Sequence, residues 1–238
     1  MRQFFVEKIP EVGEVVDLSR EDQRHLQRVL RAREGDELRI VAQGRAFLAA
    51  VAEEGVRIES TLPDLPPKGR LHLALGLVKG TTLDAIIQHG TEVGVDEFHL
   101  LNLRYSVANF QGKEDKKVEK LQKVAEEAAK QSNRLEIPTI HPPVGLTEFL
   151  AQMADQMPLI FCNEREKSRP ILKALEGNLS PEVALLVGPE GGFHPQEAEE
   201  ILAAGAISVD LGPHILRAET AALVAAFTLR RSLEREEE

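Results

Sequence analysis

The chain has 238 residues, 42% hydrophobic and 29% charged, with a net charge of −10, a single cysteine and no tryptophan. That length accommodates one large domain or two smaller ones, and the acidity argues against nonspecific nucleic-acid binding by the whole surface. No apolar stretch approaches the roughly 18 residues that span a bilayer, and Cys162 alone excludes an internal disulfide or a cysteine-rich zinc cluster.

The opening "MRQFFVEKIPEVGE" lacks a long apolar segment, so no secretory signal is expected, and a reducing cytoplasm is the expected location. The runs "QFFVEK", "DELRIVAQ", "RAFLAAVAEE" and "VRIESTL" predict short strands, with turns at Glu34-Gly35-Asp36 and Gln43-Gly44. They imply a small barrel or compact β domain. Among them "SREDQRHLQRVLRAR" predicts one helix carrying Arg20, Arg24, Arg28, Arg31 and Arg33 against only Glu21 and Asp22. Residues 1–70 are near neutral, at 12 Lys+Arg against 13 Asp+Glu, and the remainder carries the acidity. The basic helix is either an RNA-facing patch or a plain solvated face. The prolines of "LPDLPPKGR" then mark a linker, giving an N-terminal domain over 1–68 and a second over 69–238.

Beyond the linker the periodicity changes. Strands are predicted at "LHLALGLV", "EFHLLNL", "PLIFCN", "VALLVG" and "ISVDLG". Helices are predicted at "TTLDAIIQHGTEVGV", "KEDKKVEKLQKVAEEAAKQS", "PQEAEEILAAG" and "AETAALVAAFTLRRSLE". This alternation implies a mostly parallel sheet covered on both faces, with ligands at the carboxyl ends of its strands. Three loops leave such ends: "FCNEREK", "VGPEGGFHP" and "LGPHILRAET". In the second, Gly188, Gly191 and Gly192 permit close backbone approach, Pro195 suits a helix first turn and Glu197 its positive end. The loop is either a ligand cradle or a tight structural turn. Neither G-x-x-x-x-G-K-[ST] nor G-x-G-x-x-G is present; "GLVKGTT" at 76–82 only mimics the former, because Lys79 precedes the second glycine. In the third loop Ile215 and Leu216 are apolar where surface loops are polar, and Arg217, Glu219 and Thr220 follow. The trio reads as a pocket wall or as a helix cap.

"LLVGPEGGF" followed by "LGPHILRAETAAL" closely resembles the paired signatures of the ribosomal RNA small-subunit uridine N3-methyltransferases, within the trefoil-knotted SPOUT superfamily. The resemblance runs nearly end to end. It includes "HLQRVLRAREGD" at 25–36, Lys79-Gly80 with "IQHGTEVGV" at 87–95, and "EEAAKQSNRLEIPTI" at 126–140 with Gln131, Ser132, Arg134 and Pro138. The sequence departs from the family pattern at His89, Asn133, His214 and Ala218, and either Arg104 or Tyr105 takes the place of a motif arginine.

The resemblance implies an α/β fold, in which a C-terminal SPOUT trefoil-knot domain with a mostly parallel sheet follows a small N-terminal PUA-like β-barrel. A knot is a rare exception to the rule against threaded connections, and periodicity does not disclose it. The implied cofactor is S-adenosyl-L-methionine, which has no phosphate, in keeping with a glycine turn that lacks a lysine. The implied binding residues are Phe161, Asn163, Glu164, Val187, Gly188, Pro189, Glu190, Gly191, Gly192, Leu211, Gly212, Ile215, Leu216, Arg217 and Thr220. Arg217 is the first candidate to favour the uridine anion. Arg134 is the second, contributed across a homodimer interface, and Glu190 and Glu219 are the candidate bases. Histidines 194 and 214 are read as ordinary surface residues. Arg24, Arg28, Arg31, Arg33, Lys79, Arg104 and Arg134 are the expected RNA contacts, the assembled small subunit with its 16S rRNA is the expected substrate, and no metal or membrane is expected.

Overall fold

The computed structural model describes residues 1–63, 68–108, 110, 112–173 and 180–234, which form two compact units. The first comprises Met1–Pro66 together with Ala129–Ile137, and the second Pro67–Ala128 with Pro138–Glu238.

In the first unit, strands β1 (Arg2–Phe5), β2 (Val15–Val16), β3 (Glu37–Ala42), β4 (Arg45–Val51) and β5 (Val56–Thr61) form one sheet, in the order β1-β3-β4-β5-β2. Only β1 and β3 run parallel. The sheet has two edges, β1 and β2, so it is a curled PUA-like half-barrel rather than a closed one. Phe4, Leu26, Ile40, Phe47 and Ile58 fill its concave side. The basic segment begins as helix α1 (Arg20–Arg24), capped by Ser19 Oγ accepting from Asp22 N–H, and continues as one π-helical turn over His25–Val29. Arg31, at φ 51°, ends it. Lys130 Nζ lies 2.7 Å from the buried Asp22 carboxylate, and Gln3 Nε2 donates to the Arg134 carbonyl at 2.6 Å; these two contacts tie residues 129–137 to this unit.

The second unit is a six-stranded, all-parallel sheet in the order β11-β9-β10-β6-β7-β8. Its strands are β6 (Arg70–Gly76), β7 (Glu97–Asn102), β8 (Thr139–Gly145), β9 (Leu159–Cys162), β10 (Glu182–Val187) and β11 (Ile207–Val209). The connecting helices are α2 (Gly80–Glu92), α3 (Glu114–Gln131), α4 (Leu146–Met153), α5 (Pro195–Ala203) and α6 (Ala218–Leu233). Alternate residues of β6 serve opposite faces, as the two-residue strand period requires. Leu71, Leu73 and Leu75 pack with Ile86 and Ile87 of α2, Leu121 of α3 and Ala225 and Leu229 of α6. Ala74 joins Phe149 of α4, Phe161, Leu186 and Ile201 of α5 on the other side. This is the parallel α/β architecture expected of the SPOUT class. Among the described residues no helix is long and apolar enough to cross a membrane.

Strands β2 and β8 and helix α4 have no counterpart among the sequence expectations. Strand β8 contains Pro142 and Pro143, which lack the N–H groups a central ladder needs. Its edge position tolerates them, and the β7–β8 register shifts between His99 and Leu101, opposite the two prolines.

Two buried polar clusters stand within this apolar framework. Arg230 of α6, 4% exposed, pairs with Asp96 and donates to the carbonyls of Gly94, Lys68 and Gly69, while Asp96 Oδ2 accepts from Leu71 N–H. Near the amino ends of the strands, His72, Glu97, His99 and His141 meet. Burial pushes His99 down to about 3 and lowers His72 as well, so both rings are neutral. Burial opposes ionisation of Glu97, but its hydrogen bonds with His141 and Arg70 and its electrostatic interaction with the adjacent rings outweigh it and hold that carboxyl below the ordinary carboxylate range.

Candidate functional site

Strands β11, β9 and β10 are adjacent, so the loops leaving their carboxyl ends converge. Between them lies a cavity of about 440 Å³, the position and size at which parallel sheets bind small ligands. Phe161 to Lys167 line it after β9; Val187, Gly188, Pro189, Glu190, Gly192 and Phe193 line it after β10. Val209 to Gly212 and His214 to Glu219 complete the wall after β11.

The glycine turn is held tightly. Gly192 N–H donates to the Pro189 carbonyl at 2.9 Å, closing a β-turn whose last residue, Gly192, sits at φ 70°, where a side chain is strained. A Cβ on Gly188 would stand 3.0 Å from the Gly192 carbonyl carbon and from the Phe193 ring, so the two ends of the turn touch. Below it, Gly76 at the end of β6 lets the turn rest on the sheet: a Cβ there would lie 2.5 Å from Pro189 Cδ and 2.8 Å from Pro189 N. On the outer side Gly191 faces Tyr105.

Helix α5 begins immediately after the turn, with Pro195 in its first turn and His194 as N-cap. His194 Nδ1 accepts from Gln196 N–H, so this histidine is engaged in capping. The buried Glu197 accepts from His194 N–H at 2.9 Å and, with its other oxygen, from Arg104 N–H at 2.8 Å. One carboxylate thus joins the loop after β7 to the loop after β10.

The third loop starts with Gly212 N–H donating to Asp210 Oδ1 at 2.7 Å. Asn163 anchors the neighbouring strand end: its Nδ2 donates to Ser208 Oγ, its Oδ1 accepts from Arg165 N–H and its N–H bonds Val209 O. Ile215 is 85% exposed beside the cavity, an unusual position for a large aliphatic side chain. Arg217 is the N-cap of α6 but makes no capping bond with its side chain, and Glu219 lies in the first helical turn. Glu190 Oε1 accepts from Lys79 N–H at 3.3 Å, so this carboxylate anchors loop backbone. Burial pushes the Cys162 thiol up to about 12, and hydrogen bonds from the Ser168 side chain and backbone hold Glu166 at about 2. Carboxylates at 164, 166, 190, 210 and 219 face cations at 165, 167 and 217, so the wall carries both signs.

Of the residues singled out in the sequence, Phe161, Asn163, Glu164, Val187, Gly188, Pro189, Glu190, Gly192, Leu211, Gly212, Ile215, Leu216, Arg217 and Glu219 line this one cavity. Gly191 and Thr220 lie beside it without lining it. Lys79 and Arg104 belong to the same unit, Lys79 preceding α2 and Arg104 held through Glu197. Arg134 and the exposed Arg24, Arg28, Arg31 and Arg33 belong to the first unit. Residues not singled out as cofactor contacts also line the cavity, chiefly Thr82, Cys162, Arg165, Lys167, Phe193 and Asp210. Most are chain neighbours of the selected ones; Thr82 arrives from α2 and carries no sequence signal of its own.

A family model described as an RNA methyltransferase domain matches residues 65–230, and one described as an RNA methyltransferase PUA domain matches residues 18–57. The ribosomal RNA small subunit methyltransferase E of Bacillus subtilis is 30% identical over 241 residues, covering 94% of each chain. Its Synechocystis counterpart is 32% identical, covering 92% of this chain and 74% of that one. The crystal structure of a ribosomal RNA small subunit methyltransferase E from Neisseria gonorrhoeae bound to S-adenosyl methionine superposes with a TM-score of 0.85. The identity is 26% and the match covers 97% of both chains. A methyltransferase of Legionella pneumophila in complex with SAM gives 0.83 at 27% identity over 96% of each. Matches of this extent reach through both units of the molecule, and the chain belongs to the ribosomal RNA small subunit methyltransferase E family.

Proposed function

We propose that the protein transfers a methyl group from S-adenosylmethionine to N3 of a uridine in 16S rRNA, acting on the assembled small ribosomal subunit in the cytoplasm. The observation that carries this reading is the shape and chemistry of the cavity. The glycine turn presents main chain with little side-chain cover, Ile215 and Leu216 offer an apolar wall for a flat ring, and the nearby carboxylates suit a ligand bearing a sulfonium and an ammonium. No lysine stands in the turn to grip a phosphate. The residues fit the cofactor bound by the Neisseria and Legionella proteins.

Bound there, S-adenosylmethionine supplies an electrophilic methyl group on sulfur. The loops hold donor and acceptor in line, and positioning of this kind contributes much of the rate. Uridine N3 carries a proton that must leave. Glu190 is engaged with Lys79 N–H, whereas Glu219 makes no hydrogen bond or ion pair among the described residues, which makes Glu219 the better placed base. Arg217, exposed at the rim and free of capping duty, favours the pyrimidine anion as it forms. Asn163, with its three structural bonds, frames the site.

Residues 1–68 serve as the RNA-positioning domain in this reading and 69–238 as the catalytic one. Arg24, Arg28, Arg31 and Arg33, all exposed, contact phosphates without reading sequence. The protein acts as a homodimer, supported by Val224 and Phe227, exposed three residues apart on α6. Arg134 of the partner subunit is the second cation at the site. Purified protein, S-adenosylmethionine and methyl-deficient small subunits test the whole proposal, with nucleoside mass analysis as the readout. N3-methyluridine formed by the wild type and lost in Arg217→Ala supports it. A ribose-methylated product assigns a different acceptor, and RNA binding without calorimetric affinity for S-adenosylmethionine assigns an adaptor.

A further inference from the structure

We infer that the amino-terminal end of the parallel sheet holds a zinc(II) site formed by His72, Glu97 and His99, at the opposite strand ends from the cavity. His72 lies on β6, and Glu97 and His99 two residues apart on β7; the β6–β7 register sets His72 directly beside Glu97. Both histidines are 4% exposed and stand among the buried leucine, alanine and phenylalanine side chains of β6 and β7.

The geometry is specific. His72 Nδ1 and His99 Nε2 are 3.1 Å apart, and Glu97 Oε2 lies 3.6 Å from the former and 3.8 Å from the latter. The circle through three atoms so spaced has a radius of about 2.0 Å, the length of Zn–N and Zn–O bonds. One ion therefore reaches all three donors with little movement, and the proton lying between the two rings moves to the far nitrogen of its own ring as that imidazole changes tautomer. Two neutral imidazoles and one carboxylate suit zinc, while magnesium and calcium require oxygen ligands.

The surroundings orient each ligand as metal sites require. Arg70 Nη2 holds Glu97 Oε1 at 2.8 Å, leaving Oε2 turned toward the rings, and His141 Nε2 lies 2.8 Å from that same Oε2. His72 Nε2 is buried without a hydrogen-bond partner, with the Glu182 carboxylate 3.9 Å away. Coordination through Nδ1 places the ring proton on Nε2, facing that carboxylate. His99 is stacked on His141 at 4.3 Å and packed by Phe149, which fixes its ring plane. His141, with 37% of its side chain exposed, marks the open side where water completes the sphere. The single cysteine excludes only a cysteine-rich zinc cluster and carries no information about histidines gathered from separate strands.

The test is titration of the full-length, EDTA-treated protein with ZnCl2 by calorimetry, and with Co(II) by visible absorption. One equivalent should bind, with visible bands of a low-symmetry nitrogen–oxygen site, while MgCl2 gives no heat. Glu97→Gln and His99→Gln should each weaken zinc at least 100-fold, and His141→Ala about 10- to 100-fold, as for outer contacts of other sites. His89→Ala, an exposed histidine outside the cluster, should leave binding unchanged. His141→Ala touches only a partly exposed ring, so it decides the matter even where the buried variants fail to fold. The inference is overturned by a wild type that binds no zinc at 0.1 mM, or by one-to-one binding that survives His141→Ala undiminished.

Discussion

Replacing Arg230 with methionine tests the packing logic of the catalytic unit. Methionine keeps the apolar stem but removes the guanidinium, and with it the bonds to Gly94 O at 2.9 Å and to the carbonyls of Lys68 and Gly69 at 3.1 Å each, besides the pair with Asp96. Asp96 is 7% exposed and would remain buried without its cation. Breaking a buried ion pair from one side costs about 3–5 kcal/mol, a large part of the roughly 5–15 kcal/mol that holds a domain folded. Asp96→Asn keeps an oxygen for Leu71 N–H and should cost less, about 1–3 kcal/mol. With both replaced, no ionised group of the pair stays buried, so the double variant should be more stable than additivity requires by at least about 1 kcal/mol. Urea unfolding followed by far-UV circular dichroism measures all four proteins, since the chain lacks tryptophan. A cost below about 1 kcal/mol for Arg230→Met, or strict additivity, refutes the reasoning.

Four further outcomes are expected. Gly76→Ala places a methyl group 2.5 Å from Pro189 Cδ and must displace the turn by roughly 1 Å; S-adenosylmethionine affinity should fall on the order of 100-fold by calorimetry, and unchanged affinity with an unchanged melting temperature would count against the turn as a cofactor wall. Arg217→Ala should lower kcat about 10²- to 10³-fold while cofactor affinity stays within a few-fold, and an equal loss in binding alone would remove its electrostatic role. The Cys162 thiol, pushed up to about 12 by burial, is almost wholly protonated at pH 8, so iodoacetamide should leave it unmodified in the native protein and label it fully in urea, as read by mass. Arg28→Ala should reduce the salt dependence of small-subunit binding by about one unit in the log–log slope, without altering which nucleotide is methylated; an unchanged slope would return this arginine to a plain solvated face.

The chain announces some of this and conceals the rest for physical reasons. The glycine turn and helix α5 are legible because Pro195 and Glu197 are local signals, each acting within the first turn it occupies, whereas the partner of Glu197 in the capping box, His194, is a residue type that does not announce an N-cap. Strand β8 is not legible, because Pro142 and Pro143 contradict a strand unless the reader knows that it lies at an edge. The Asp96–Arg230 pair joins residues 134 apart, and no periodicity relates them. The histidines at 72, 99 and 141 each look like an isolated ring in an apolar run; only the β6–β7–β8 register brings them to one place. Likewise residues 129–137 pack with the first unit through Gln3 and Asp22, contacts that composition cannot announce. Of the site itself, the walls after β9, β10 and β11 are readable as motifs, whereas Thr82 is supplied by a distant helix.

Glu197 behaves like a rivet through two straps. Because a single side chain fastens both the Arg104 and the His194 main chain, neither strap can slide along the rim while the other stays still. Swapping in glutamine would cut the rivet's charge yet preserve its reach, and leucine would let each strap drift alone, so the pair of substitutions separates loss of charge from loss of shared anchorage.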